Sequence, residues 1–386
     1  MHFESGLINY VVMLAAARPA FAGYKTKFDG IPGYIAGLPG YPRNFSRDVL
    51  LAGLISMDAE MLQTQLAISS KHQGKEIDAR SGEEPGKIHH EYPGVRLSGR
   101  EQYLTTYNAC DSTALYLLSV EALGHLDPVA YGRFMADGDG AKHVAAAADY
   151  IEQHLREGIF WEYPPESSQH YALKTTYWKD SVLPDPAGKQ EPDYPATFAL
   201  AHFQNARGML SAATVLSDDR LRLVADGMFA TGIEEFITAN YFETYRDQSS
   251  RLQQASSDEL QALAYIPPGY RYMMPMRAIR ARARQLQTPA GYACTPLAVA
   301  SRLKDAYHGY VVWPFEQALI HYGCLKFGLR HEAEIAGRCA PHINLGNELL
   351  LIESDISGAG NDRQLWSVAA KQYFDGDSAL RATDWL

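Results

Sequence analysis

Net positive charge is what this chain lacks: the formal charge over 386 residues is −10. Phosphate backbones are gripped by an excess of cations, so nucleic acid is not expected as a partner. Cysteine is scarce: Cys110, Cys294, Cys324 and Cys339 lie far apart and form no CxxC pair. That spacing offers neither a disulfide framework nor a zinc site, and reduced thiols in a cytoplasmic protein are the expectation. No apolar run is long enough to span a membrane. Tyr10 to Ala22 is apolar and ends in Ala20-Phe21-Ala22, but no basic segment precedes it and Arg18 interrupts it. A first helix of the fold is expected there rather than a signal peptide. The patterns GxSxG, GxGxxG and the P-loop are absent. His89-His90-Glu91 is not HExxH, and no spaced histidine or carboxylate completes a metal set, so neither metal nor cofactor is expected.

Helical periodicity is what the chain does contain. Leu50, Leu54, Met57 and Met61 share one helix face, and Leu115, Leu118 and Ala122 repeat the pattern after Asp111. Ala145 to Leu155, Phe198 to Leu216, Leu221 to Thr238 and Trp313 to Phe327 also read as helices. Alternating strand patterns with tight turns are scarce. The connections Asp29 to Pro42, Gly82 to Val95, Pro164 to Pro195 and Gly269 to Pro296 are rich in Gly and Pro, and they carry Trp, Tyr and His. Loops of that length are usually functional. At roughly 30 residues per helix and loop, about a dozen helices fill the chain. That number predicts an all-α fold, an (α/α)6 toroid with long functional loops at one end. No Gly/Ser-rich linker and no clear repeat divides the sequence, so a single domain over 1–386 is expected.

Four segments carry a carboxylate where a helix or loop is expected to begin: Phe45-Ser46-Arg47-Asp48, Tyr107 to Asp111 and Tyr177 to Ser181, each with aromatic or basic residues, and Asn347-Glu348-Leu349-Leu350. Asp48 and Asp111 each precede a helix-like run, where a carboxylate can simply cap the helix N-terminus. Asp180 has no helix after it to cap, since Pro184 and Pro186 follow. An apolar wall from Trp178 would raise its pKa as a general acid requires, whereas the Lys179 ammonium would pull the other way if it faced the carboxyl. Glu348 and Glu353 flank the apolar run Leu349 to Ile352, and either is a candidate base for activating water. With 11% aromatic residues and an acidic balance, the composition suits a carbohydrate, whose hydroxyls donate to carboxylates and whose apolar faces stack on rings.

Six short motifs recur in one order along nearly the whole chain. They are Phe45-Ser46-Arg47-Asp48 (F-G-R-D), Glu84 to Glu91 (E-P-G-K-I-x-H-E), Tyr107 to Ala114 (Y-x-x-x-D-A-T) and Trp178 to Ser181 (W-K-D-S). Tyr307-His308-Gly309 with Val312-Trp313-Pro314 (Y-H-x-G-x-V-W-P) and Gln364 to Ser367 (Q-x-W-S) complete the set. In these the chain resembles the amylo-α-1,6-glucosidase (glycogen-debranching) family and its relatives among the inverting (α/α)6-barrel glycoside hydrolases. That group includes α-glucosidases and mannosylglycerate-type hydrolases. The resemblance implies Asp180 as general acid and Glu348 as general base, with Glu353 the alternative. It also implies that Arg47, Asp48 and Asp111 hold sugar hydroxyls, that Trp178, Trp313 and Trp366 shape the pocket, and that His90, Glu91, Lys179, His308 and Gln364 bind substrate. The substrate would be a small oligosaccharide or glycoside with a terminal α-linked sugar, glucose first. A glycoside phosphorylase would need a cationic cradle for phosphate, and Arg is scarce around Glu348. A sugar epimerase would need paired histidines that cannot be placed. An inactive carbohydrate-binding protein would have lost the acids that this chain keeps.

Overall fold

The computed structural model describes residues 19–96, 102–137, 139–163, 175–181, 183, 185, 187–303, 307–352, 355–361, 363–376 and 380. Its helices are α1 (Ser46–Ser56), α2 (Ala59–Lys71), α3 (Ser112–Leu126), α4 (Pro128–Asp137), α5 (Gly140–Gln153), α6 (Ala199–Leu216) and α7 (Asp219–Phe236). After them come α8 (Ser257–Ala262), α9 (Met276–Ala283), α10 (Leu297–Ala300), α11 (Pro314–Lys326), α12 (Arg330–Ala336) and α13 (Leu365–Asp375).

Six of these helices form a closed inner ring. Helix α1 packs on α3, α3 on α6, α6 on α8, α8 on α11, α11 on α13, and α13 returns to α1. Outside it, α2 lies against α1 and α3, α5 against α3 and α6, α7 against α6, α9 against α8, and α12 against α11. The result is the expected all-α (α/α)6 toroid. Composition sorts the two rings. Every residue of α1 is buried, because an inner helix has neighbours on all sides. The outer α7 buries only the stripe Leu221, Ala225, Met228, Phe229, Gly232, Ile233 and Phe236, spaced to cover one face.

Two expectations need correction. The stripe from Leu50 to Met61 is not one helix. Met57 takes φ 53°, and Asp58 restarts the chain as an N-cap by accepting from Met61 N at 2.9 Å. Apolar spacing continues through such a break because both helices face the same core. Gly269 to Pro296 is likewise not a loop: it holds a 3-10 turn (Pro268–Met273), α9 and the strand pair Gln287–Thr288 and Gly291–Tyr292. Of the apolar segment Tyr10 to Ala22, only 19–22 fall among the described residues, inside the 3-10 turn Pro19–Tyr24. Among the described residues no helix is long and apolar enough to cross a membrane.

Short strands feed the inner ring. Asn44–Phe45, Thr197–Phe198 and Arg363–Gln364 each lead straight into α1, α6 and α13, and Val311–Val312 leads through Trp313 into α11. Each pairs with a neighbouring strand: Phe45 with Glu91, Phe198 with Tyr245, Val312 with Leu349 and Gln364 with Gly37. The N-cap residues Phe45, Phe198, Trp313 and Gln364 are all extended, and none of their side chains bonds its own helix.

Candidate active site

The starts of three inner helices, α1, α11 and α13, line a cavity of about 500 Å³. From α1 come Arg47 and Asp48; from the start of α11, Trp313; from α13, Gln364 and Trp366. Glu91, which begins a strand, and His90 just before it also line the cavity, and two irregular segments contribute Trp178 with Asp180 and Tyr307 with His308.

Aromatic rings make one wall. Trp178 meets Trp313 edge-on at 5.8 Å between centroids, His308 stacks on Trp313 at 5.4 Å, and Trp366 stands perpendicular to Trp313 at 6.1 Å. Trp366 is held from behind by Phe315, stacked at 4.2 Å, and its Nε1 donates to Asn347 Oδ1 at 2.7 Å. Nε1 of Trp178, Nε1 of Trp313 and Nδ1 of His90 have no hydrogen-bond partner among the described residues. Buried polar atoms are rarely left so.

Carboxylates and one arginine also line the cavity. Arg47 donates through Nε to both oxygens of Asp111 at 2.9 and 2.8 Å, and through Nη2 to the Thr176 carbonyl at 2.8 Å. Its remaining Nη1 lies 3.8 Å from Asp180 Oδ2. Burial raises Asp180 to about 6 against the pull of Arg47. Asp48 accepts from Gln364 Nε2 at 2.8 Å, and burial lifts it to about 7 despite that bond and Arg47. Glu91 pairs with Arg43 at 2.5 Å. Burial first, then the neighbouring cations, hold His90 and His308 well below the usual histidine range, so both rings are neutral at pH 7.

The segment E-P-G-K-I-x-H-E folds as a post, buried from Gly86 to Glu91. Lys87 donates to Glu162 at 3.0 Å and Glu84 at 3.1 Å, and Glu84 bonds His154 at 2.9 Å. Burial works against the charge on Glu84, but Lys87 and His154 hold its pKa at about 2. Gly86, at φ +84°, fits where a Cβ would overlap the Ala146 carbonyl oxygen. At its end the His90 carbonyl accepts from Ser46 N at 2.9 Å and the His90 N–H donates to Thr106 O at 2.6 Å.

Three of the residues singled out in the sequence do not line the cavity. Asp111 is the N-cap residue of α3, yet its carboxylate bonds Arg47 rather than its own helix. Lys179 turns away from Asp180 into a buried pocket with Asp258 and Glu316. Glu348 starts the strand Glu348–Ile352 directly after Asn347, which does line the cavity. Its carboxyl packs over Gly360, which takes φ +78°, and a Cβ at that position would overlap Glu348 Oε1. Burial raises the Tyr307 hydroxyl far above its usual range, and the charges of Glu348 and Asp180 both add to it. Glu353 lies outside the described residues. Sequence reasoning passed over Tyr41, Asn108 and Asn347 as wall residues. Asn347 adjoins a named acid and was within reach of it; Tyr41 and Asn108 sit in irregular segments with no periodic signal.

No family model matches the chain, and no curated protein matches it either. Solved structures do. The mannosylglycerate hydrolase of glycoside hydrolase family 63 from Thermus thermophilus, in complex with glucose, superposes with a TM-score of 0.64 at 12% identity, covering 96% of this chain and 99% of that one. The same hydrolase with Tris and D-glycerate gives 0.60 at 12% identity, over 95% and 99%. A wild-type glycosidase gives 0.61 at 13% identity, over 97% and 99%. At such identities the agreement establishes a shared fold over the length of both chains.

Proposed function

We propose that this chain is a glycoside hydrolase that removes a terminal α-linked sugar with inversion, Asp180 acting as general acid and Glu348 as general base. The observation that carries the reading is Asp180: a carboxyl on the wall of a cavity that three tryptophans also line, raised to about 6 and so able to hold a proton close to neutrality. Its proton passes to the glycosidic oxygen as the bond to the anomeric carbon breaks. Water adds to the opposite face of that carbon and loses its proton to Glu348, which lies just behind the lining but whose charge is felt at the cavity residue Tyr307. Such a displacement needs carboxyl groups roughly 6.5–9.5 Å apart, with water between base and sugar. The unpaired polar atoms of Trp178, Trp313 and His90 suit sugar hydroxyls, as do Asp48 and Gln364. Asp111 acts through Arg47 in this scheme, by holding the guanidinium that faces Asp180.

A cavity of about 500 Å³ falls in the range that takes a small ligand, so a disaccharide or a sugar with a compact aglycone fits better than a polymer. Glucose and mannose are the sugars to test first, by resemblance to α-glucosidases and mannosylglycerate-type hydrolases. The test is proton NMR of the protein with a panel of α-glucosides and α-mannosides, with and without phosphate. Early appearance of the β-anomer without phosphate is the expected result. Release of the α-anomer first would overturn inversion, and turnover only with phosphate would replace hydrolysis by phosphorolysis.

A further inference from the structure

The ammonium of Lys179 sits in a closed polar cluster behind the aromatic wall. It donates to Ser257 Oγ at 2.7 Å and pairs with Asp258 Oδ1 at 2.7 Å and Glu316 Oε1 at 3.4 Å. Ser257 Oγ in turn donates to Glu316 Oε1 at 2.6 Å, and the Tyr177 hydroxyl reaches Asp258 Oδ2 at 3.4 Å. The three charged side chains are at most 2% exposed, and none of them lines the cavity. Ser257 and Asp258 belong to the first turn of α8 and Glu316 to the first turn of α11. Lys179 therefore joins the starts of two inner helices to the irregular segment that carries Trp178 and Asp180.

Side chains along that segment alternate. Tyr177 and Lys179 point back into the cluster, while Trp178 and Asp180 face the cavity. The Lys179 ammonium also lies 5.0 Å from the Trp178 ring centroid. A buried ion cluster adds little net stability over apolar packing of the same shape, because desolvation offsets attraction. What it supplies is a fixed position for a stretch of chain that no helix or sheet holds. We propose that Lys179 is a positioning residue for proton transfer by Asp180, fixing where that carboxyl stands at the cavity wall. The inference rests on Asp180 being the general acid.

The experiment separates protonation of the leaving group from every other step. Methyl α-glucoside and methyl α-mannoside need a proton on the departing oxygen; their 2,4-dinitrophenyl counterparts do not. Lys179→Met is expected to lose about 100-fold in kcat on the methyl glycosides and less than about 10-fold on the dinitrophenyl ones, with KM little changed, as expected for loss of general-acid help. Lys179→Arg, which keeps the charge, should recover part of the loss. Equal losses of K179M on both substrate types, or on neither, would overturn the inference while Asp180→Asn still shows the split. Should D180N itself show no split, or the unaltered protein act on none of the four glycosides, the acid assignment falls and this inference with it. Where K179M does not fold, Ser257→Ala removes one partner of the ammonium without unpairing a charge. It should show the same split, smaller in size, and an even loss there would overturn the inference as well.

Discussion

Asp180 illustrates how a residue's role depends on which neighbour its charge meets. Lys179 stands beside it in sequence, yet the ammonium is buried on the far side of the segment, and the nearest cation is Arg47 from α1. Arg47 is itself committed to Asp111, so it restrains Asp180 without abolishing the effect of burial. Asp180→Asn should lower kcat on unactivated glycosides by roughly 10²–10⁴, the usual worth of a general acid, while calorimetry finds sugar binding preserved. Near-normal turnover would end the assignment. A second expectation concerns pH. The acid works only when protonated, so kcat/KM should fall as pH rises through about 6, and that alkaline limb should vanish in D180N. A limb unmoved by the substitution would belong to another group. Gly360→Ala tests the proposed role of Glu348 from a distance: a Cβ there displaces the Glu348 carboxyl, so kcat should drop more than about tenfold with KM nearly constant. A Gly360→Ala enzyme with unchanged kcat would argue against Glu348.

Helices, the elements of this fold, were legible from the sequence to different degrees. Phe198 to Leu216 and Trp313 to Phe327 come out as α6 and α11 within a residue at each end, because long apolar runs leave little choice. The division of Leu50 to Met61 into two helices was not legible, since the left-handed turn at Met57 carries no glycine to mark it. Nor could the sequence show that the inner helices α1, α6, α11 and α13 lack side-chain caps, which leaves their first turns free to present Arg47, Asp48 and Trp366 to the cavity. The same limit hid the role of Glu84 and Lys87, because their partners His154 and Glu162 lie 70 and 75 residues away. Lys87→Met should destabilise the protein by about 3–5 kcal/mol, since Glu162 would be left buried without its cation. Urea unfolding would measure it. A change below about 1 kcal/mol would mean that the post can be repacked and does not hold His90 in place.

At the scale of the whole molecule, the two cavity aspartates set a conflict between the site and stability. An aspartate raised in the folded state stabilises folding fully below its unfolded pKa, near about 3.9, and that contribution is lost as pH rises through the folded value. For Asp48 the window runs from about pH 4 to about 7, and for Asp180 from about pH 4 to about 6. Glu84 acts in the opposite sense: held down at about 2, it contributes stability above its unfolded pKa that disappears as pH falls toward 2. The formal charge of −10 adds self-repulsion as the remaining carboxyls ionise. Stability should therefore peak in mildly acid solution and decline toward about pH 8, and the cost of ionising the buried Asp48 should account for a few kcal/mol of that decline. Asp48→Asn keeps an acceptor for Gln364 while removing the buried charge. Its melting temperature should exceed that of the unaltered protein at about pH 8, match it near pH 4, and vary less between the two. A variant less stable at the alkaline end would mean that ionised Asp48 is compensated by Arg47, and the link between the cavity's acids and the pH profile would fail.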